Sequence, residues 1–334
     1  MMAYLRLVGG EIPRALYNVR SRWTSRRGLW LTISQGEQSG IGEASPLPGY
    51  SPDDLASVQV ELEQFLPFLE RIPECPEDPY EIEALCAKYL ACPSARFAVE
   101  SALLALLSKQ RNLPVHRLFC SDTVPLPVSG LLQGGSPEEQ IKEAGGKAAR
   151  GLRCLKLKVG ERSVEEELTR LQVLQAALGP EIRLRLDANG AYTPGQVTWL
   201  AERLQGGSVV EIEEPVAPEC WSELPPPPKG ILWGADESLR QCSEELLRSP
   251  VCGFFVVKPA VLGWFGALRL AEQARTKGKG VIVTHLFDGP VALEACRELA
   301  RALGPGLLPC GVDEHEALGA YPAWGVGAGG SPRG

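Results

Sequence analysis

The sequence predicts an α/β protein in two parts, an N-terminal α+β region followed by a parallel (β/α)8-type barrel. Three observations predict this. From Val124 onward, short apolar runs alternate with helix-like segments, as successive βαβ units require. Five charged clusters each close a β-like run: Leu155-Lys156-Leu157-Lys158, Leu186-Asp187-Ala188-Asn189, Ile212-Glu213-Glu214-Pro215, Ala235-Asp236-Glu237-Ser238 and Val257-Lys258-Pro259. The steps from Lys158 to Asp187, Glu213, Asp236 and Lys258 are 29, 26, 23 and 22 residues, each room for a strand, a helix and two short loops. Charged side chains at successive strand ends of such a chain converge on one face, the catalytic face of a barrel.

Residues 1 to about 120 lack the repeat. Trp30–Ser34 alternates like a strand after a turn expected at Arg26-Arg27-Gly28. Ser51–Leu69 reads as a capped helix with Pro52 in its first turn, and Ala95–Gln110 as a helix with apolar residues at helical spacing. In the repeat, strands are expected at Leu126–Leu132, Leu155–Val159, Ile182–Asp187, Val209–Glu213, Ile231–Ala235, Phe254–Lys258, Val281–Thr284 and Leu307–Val312. Helices are expected at Pro137–Arg150, Ser163–Leu178, Thr193–Gln205 and Pro290–Leu303, with Pro225–Pro228 a stiff linker. The Gly- and Pro-rich tail after Trp324 reads as loose.

Composition bounds the function. The chain has 334 residues, enough for a large core and two domains; 44% hydrophobic and 22% charged residues fit a soluble globular protein. A net charge of −7 argues against nucleic-acid binding. No apolar run approaches the roughly 20 residues of a membrane helix, and Met1–Pro13 does not read as a secretion signal. A cytoplasmic protein is expected, with its ten cysteines reduced and most of them buried.

Strand alternation sharpens the charged clusters. Lys156 and Lys158 share a side of their strand, as do Arg185, Asp187 and Asn189, and Glu211 and Glu213. If Asp187, Glu213 and Asp236 meet, each close pair costs about 4 kcal/mol at an effective dielectric near 20. A divalent cation removes that cost, and all-carboxylate ligation favours Mg²⁺, with Mn²⁺ as substitute. Three unrelated capping acids are the alternative. Lys158 can serve as a general base if neutral, which from an ordinary value near 10.4 costs about 4 kcal/mol. Lys258 stands across the barrel. An exposed edge strand is the bland reading of Lys156 and Lys158. His285 reads as a hydrogen-bonded pocket-lining residue rather than a catalyst.

These motifs resemble the enolase superfamily, specifically its muconate-lactonizing subgroup, along nearly the whole chain. The set KxK, DxN, EEP, DES and VKP occurs in order. Gly42-Glu43-Ala44-Ser45-Pro46-Leu47-Pro48-Gly49-Tyr50-Ser51 is similar to a signature of the o-succinylbenzoate synthase family, as are Arg185 before Asp187, Asp236–Arg240 and Gly311-Val312-Asp313. The resemblance implies a modified TIM barrel, (β/α)7β, with an α+β capping domain. The domains would be residues 1–122 (with the tail, about 313–334) and 123–312. It implies Asp187, Glu213 and Asp236 as Mg²⁺ ligands, Lys158 as base, Lys156 as its electrostatic helper and Lys258 as stabiliser of the enediolate. Pro46, Leu47, Gly49, Tyr50, Arg185, Thr284, His285 and Gly311 would contact a small-molecule substrate.

The implied reaction is Mg²⁺-dependent syn-dehydration of 2-succinyl-6-hydroxy-2,4-cyclohexadiene-1-carboxylate to 2-succinylbenzoate, in menaquinone or phylloquinone synthesis. Thr284-His285-Leu286-Phe287-Asp288-Gly289 departs from the small Ser/Thr-rich loop common in the family. The alternatives are an N-acylamino-acid racemase or a dipeptide epimerase of the same superfamily, or a degenerate scaffold. An epimerase would want an Asp-x-Asp pair after the eighth strand; here Asp313 is followed by Glu314 and His315.

Overall fold

The computed structural model describes residues 1–17, 22–121 and 125–324. The chain opens with a three-stranded antiparallel sheet, β1 (Met2–Tyr17), β2 (Arg22–Gln35) and β3 (Gln38–Ala44). The turn expected at Arg26–Gly28 is absent: β2 runs straight through, Val8 opposite Gly28 and Gly10 opposite Arg26. The arginines misled because one of them, Arg26, is buried in a strand. The long first strand had no counterpart in the sequence reading.

Three helices follow, α1 (Leu55–Arg71), α2 (Pro79–Tyr89) and α3 (Pro93–Gln110); the first and third pack on this sheet and the second packs on the third. The first starts later than Ser51, because Asp54 is its N-cap, accepting from the Ser57 amide at 2.8 Å. Pro52 therefore lies outside the helix. The third is buried on most sides, between sheet and barrel. Gly40 and Gly42 let β3 lie against it, since a Cβ at either would come within 2 Å of the Ala102 or Ala98 carbonyl oxygen.

The barrel strands are β4 (Ser129–Leu132), β5 (Cys154–Lys158), β6 (Arg183–Asp187), β7 (Val209–Glu213), β8 (Leu232–Ala235), β9 (Cys252–Val257) and β10 (Gly280–Val283), all parallel and in chain order. Their helices are α4 (Pro137–Ala149), α5 (Val164–Leu178), α6 (Pro194–Leu204), α7 (Leu239–Arg248), α8 (Pro259–Leu262), α9 (Trp264–Thr276) and α10 (Pro290–Ala302). Between β7 and β8 a 3-10 turn, Pro218–Glu223, stands in place of a helix. Ser136, Ser163 and Thr193 start α4, α5 and α6 with reciprocal capping boxes, so three consecutive strand-to-helix loops end at defined points.

The expected eighth strand, Leu307–Val312, is reduced to isolated bridges. Cys310 exchanges backbone bonds with Pro127 and Ser129, while Leu308 and Gly311 donate to Val281 and Val283. One short segment thus touches both the first and last strands and closes the ring. Leu155, Leu157, Leu184, Leu186 and Ile212 are buried against the helices, leaving the charged positions to the other face. Among the described residues no disulfide joins any of the ten cysteines. No helix among the described residues is long and apolar enough to cross a membrane. The tail after Trp324 lies outside the described residues.

Candidate active site

Strand register builds the site. Lys158 pairs with Asp187, Asp187 with Glu213, and Glu213 with Gly234, two residues before Asp236. Each charged residue therefore ends or just follows its strand, on one rim. Lys258 follows Val257 on β9, four strands from β5, which in a ring of eight is the opposite wall. Between them opens a cleft of ≈ 790 Å³, mouth included, lined by Lys156, Lys158, Asp187, Asp236 and Lys258.

The charges are arranged unequally. Lys156 Nζ lies 2.9 Å from Asp187 Oδ2 and 2.7 Å from Glu213 Oε1. Burial opposes its charge, but Asp187, then Glu213 and Asp236, outweigh that and raise its pKa. Lys258 donates to Asp236 and to the Tyr50 hydroxyl. Burial again opposes charge, and Asp236 and Tyr50 overcome it, holding the ammonium well above the usual range. Lys158 Nζ has no hydrogen bond or ion pair among the described residues. Burial pulls its pKa down, and Asp187 only partly offsets this.

The carboxylates follow the same logic. Burial pushes Glu213 up to about 7 despite Lys156, and Asp187 and Asp236 add to the push. Asp187 resists burial because Lys156 and Lys158 both face it, which holds it below its ordinary value. Asp236 is raised by burial and then by Glu237, against the pull of Lys258.

Among the described residues no trio of metal-ligating side chains already surrounds one point. Lys156 and Lys258 occupy the carboxylate oxygens instead. The donor set nonetheless fits a hard divalent cation: three carboxylates, all oxygen, each 5% exposed or less.

Glu214 holds this rim in shape. It sits at φ 43°, a left-handed conformation costly for a residue with a side chain, and its carboxylate accepts from the backbone amides of Asp236 and Ser238. The two glutamates of Glu213-Glu214-Pro215 thus divide the work, one facing the rim and one fastening the next loop beside Asp236.

The N-terminal region covers the mouth. Tyr50 reaches Lys258 and Asp236, with Arg240 over its ring at 4.2 Å. Buried Arg26 donates to the carbonyls of Ser45, Pro46, Leu286 and Phe287 and pairs with Asp288 at 3.4 Å, tying this cap to the loop after β10. Glu43 accepts from the amides of Gly289 and Ala292 at the start of α10.

Of the expected substrate contacts, Leu47, Tyr50, Thr284, His285 and Gly311 line the cleft. Pro46 and Gly49 are not among its lining residues. Arg185 is not either: its guanidinium is held inside the barrel by Glu211 at 2.5 Å, Ser129 Oγ and the Pro309 carbonyl. Glu213 lies beneath Lys156, 1% exposed. The cleft also contains Trp23, Ser129, Leu131 and Glu237, which sequence reasoning missed, and Phe287 and His315, which it weighed only as departures from the family loop and the epimerase pair. Glu237 sat beside a marked aspartate; Trp23 carried no signal, since only folding brings it to the rim.

Fold and site together define a capped parallel-barrel enzyme with a lysine-flanked carboxylate rim. The chain belongs to the enolase C-terminal domain-like family, matched over residues 139–322, and residues 16–106 match the MenC N-terminal domain. An o-succinylbenzoate synthase from Thermosynechococcus vestitus is 28% identical over 90% of this chain and 88% of its own length. One from Desulfotalea psychrophila is 30% identical, over 61% of this chain and 57% of its own length. Among solved structures, a dipeptide epimerase from Enterococcus faecalis complexed with Mg and a dipeptide superposes with TM-score 0.82, at 21% identity over 96% of this chain and 91% of its own. A muconate lactonizing enzyme from Pseudomonas fluorescens gives 0.80 at 22% identity, covering 96% and 88%. At these identities the structural likeness shows the fold alone.

Proposed function

We propose that the cleft eliminates water from a cyclohexadiene ring. The chain is an o-succinylbenzoate synthase, a hydro-lyase of the enolase superfamily acting on 2-succinyl-6-hydroxy-2,4-cyclohexadiene-1-carboxylate in menaquinone or phylloquinone synthesis. The observation that carries the mechanism is the contrast across the cleft, an unbonded lysine facing an ion-paired one.

The Lys158 amine takes the proton α to the ring carboxylate. The electron pair left behind spreads into that carboxylate, where the Lys258 ammonium on the opposite wall attracts it. The Lys158 ammonium then returns its proton to the departing hydroxyl on the same face. Water leaves, and the new double bond makes the ring aromatic. Asp187, Glu213 and Asp236 would hold Mg²⁺, or Mn²⁺ in its place, with Lys156 beside them. When bound, the ion supplies positive charge to the substrate carboxylate. Leu47 and Tyr50 keep water from the mouth. In this reading residues 1–122 and the tail, about 313–334, cap a barrel of residues 123–312, and the enzyme works in the cytoplasm.

Asp313 is engaged by Lys147 and Arg150, and no second aspartate follows to hold a dipeptide amine. The test is to incubate protein and Mg²⁺ with the hydroxycyclohexadiene acid, with and without EDTA, and follow its ultraviolet absorbance. Chelator-sensitive formation of 2-succinylbenzoate is expected. No turnover by folded protein would sink the reading.

A further inference from the structure

The wall of the cleft formed by the loop after β10 and the segment after residue 312 carries two stacked imidazoles. The rings of His285 and His315 lie 4.1 Å apart and 24° from parallel, with Phe287 edge-on to both. His285 Nδ1 accepts from the Phe287 amide at 2.9 Å, which places the proton of the neutral ring on Nε2 and makes that nitrogen a donor. Both nitrogens of His315 are shut off from solvent without a hydrogen-bond partner. A backbone group of Asp288 lies near the ring without reaching hydrogen-bond geometry. Buried polar groups are ordinarily paired, so an orphaned imidazole on a cleft wall asks for a partner from the ligand.

The proposed substrate has two anionic ends. Its ring carboxylate belongs beside Lys158, where the α-proton leaves. Leu47, Leu131 and Leu286 make much of the remaining wall apolar. Thr284 Oγ1 already donates to the Gly311 carbonyl at 3.0 Å. The imidazoles remain as donors, and burial together with Arg26 and Arg297 holds His315 down at about 3, neutral in the working range. The same two arginines add positive potential to this wall.

We propose that His285 and His315 form the subsite for the carboxylate at the end of the substrate's four-carbon tail. The inference rests on the dehydration reading. It assigns a specificity-determining role to His315.

The experiment compares the natural diacid with an analogue whose tail ends in a carboxamide, in wild type, His315→Leu and His315→Gln. The quantity read is the ratio of kcat/KM for acid over amide, which is independent of the active fraction of each preparation. Wild type should favour the acid by ~30-fold, the worth of a hydrogen bond to a charged group. In His315→Leu the ratio should fall to about threefold or less through KM, and His315→Gln, a neutral donor, should restore part of it. If His315→Leu does not fold, His315→Phe, a flat ring with no donor, is read in the same way. An unchanged ratio in the leucine variant overturns the proposal, as does loss of the ratio only in Arg162→Leu, which alters the adjoining cleft. Failure of wild type to dehydrate the diacid sinks the dehydration reading instead. Calorimetric binding of 2-succinylbenzoate and its tail amide then decides the subsite separately: equal affinities in wild type overturn it.

Discussion

Lys158 and Lys258 end strands on opposite walls of one cleft, both largely withdrawn from water, yet their environments push them in opposite directions. Lys258 has Asp236 and the Tyr50 hydroxyl in hydrogen-bond contact, and its charge is held. Lys158 faces Asp187 without a bond, and burial prevails. The lesson is that burial sets the cost of a charge while partner geometry decides whether it is met. One rim thereby offers an amine ready to accept a proton and an ammonium ready to attract negative charge.

The largest effect that can break this comparison is on the chemistry. Lys158→Ala should lower kcat/KM by ~10⁴-fold while Mg²⁺ binding and circular dichroism stay unchanged; near-normal turnover would remove the mechanism. Stability should then separate the two lysines in the other sense. Lys258→Met strands Asp236 and should cost about 3 kcal/mol in urea unfolding, whereas Lys158→Met, breaking no pair, should cost less than about 1 kcal/mol. Equal losses would show that pairing does not distinguish them.

Glu100 isolates burial away from the rim. It lies in α3 and accepts from the Trp264 amide at 2.6 Å, and burial pushes it up to about 7. Its folded pKa exceeds its unfolded value near 4.5, so its contribution to stability is complete below about pH 4.5 and is lost as pH rises through 7. Wild type should therefore lose up to about 3 kcal/mol relative to Glu100→Gln between pH 4.5 and 8 in urea titrations. A difference independent of pH would mean burial alone does not move a pKa here. The smallest effect is a control: Ser163→Ala removes the capping box of the helix after the Lys158 strand and should cost about 1 kcal/mol with kcat unaltered.

The barrel was legible because its signals are local. Apolar strands ending in charge, serine and threonine caps and a 22-to-29-residue step are written along the chain, and most strand boundaries fell within two residues. The N-terminal sheet was less legible. Arg26 looked like a turn residue because arginine is seldom buried, and its partners are the carbonyls of a loop some 260 residues away. The eighth strand was overread because its apolar pattern was right, while ring closure left it room for bridges only.

The sequence by itself determined which side chains stand at strand ends, since alternation and repeat length depend on neighbours within some thirty residues. Only the tertiary structure decided what each does there. It placed Lys258 against Asp236 and Tyr50, left Lys158 unbonded, drew Arg185 inward onto Glu211, and stacked His315 on His285. The physical reason is that charge, proton affinity and hydrogen-bond satisfaction depend on distances of a few ångströms between residues far apart in the chain, and those distances exist only once the ring has closed.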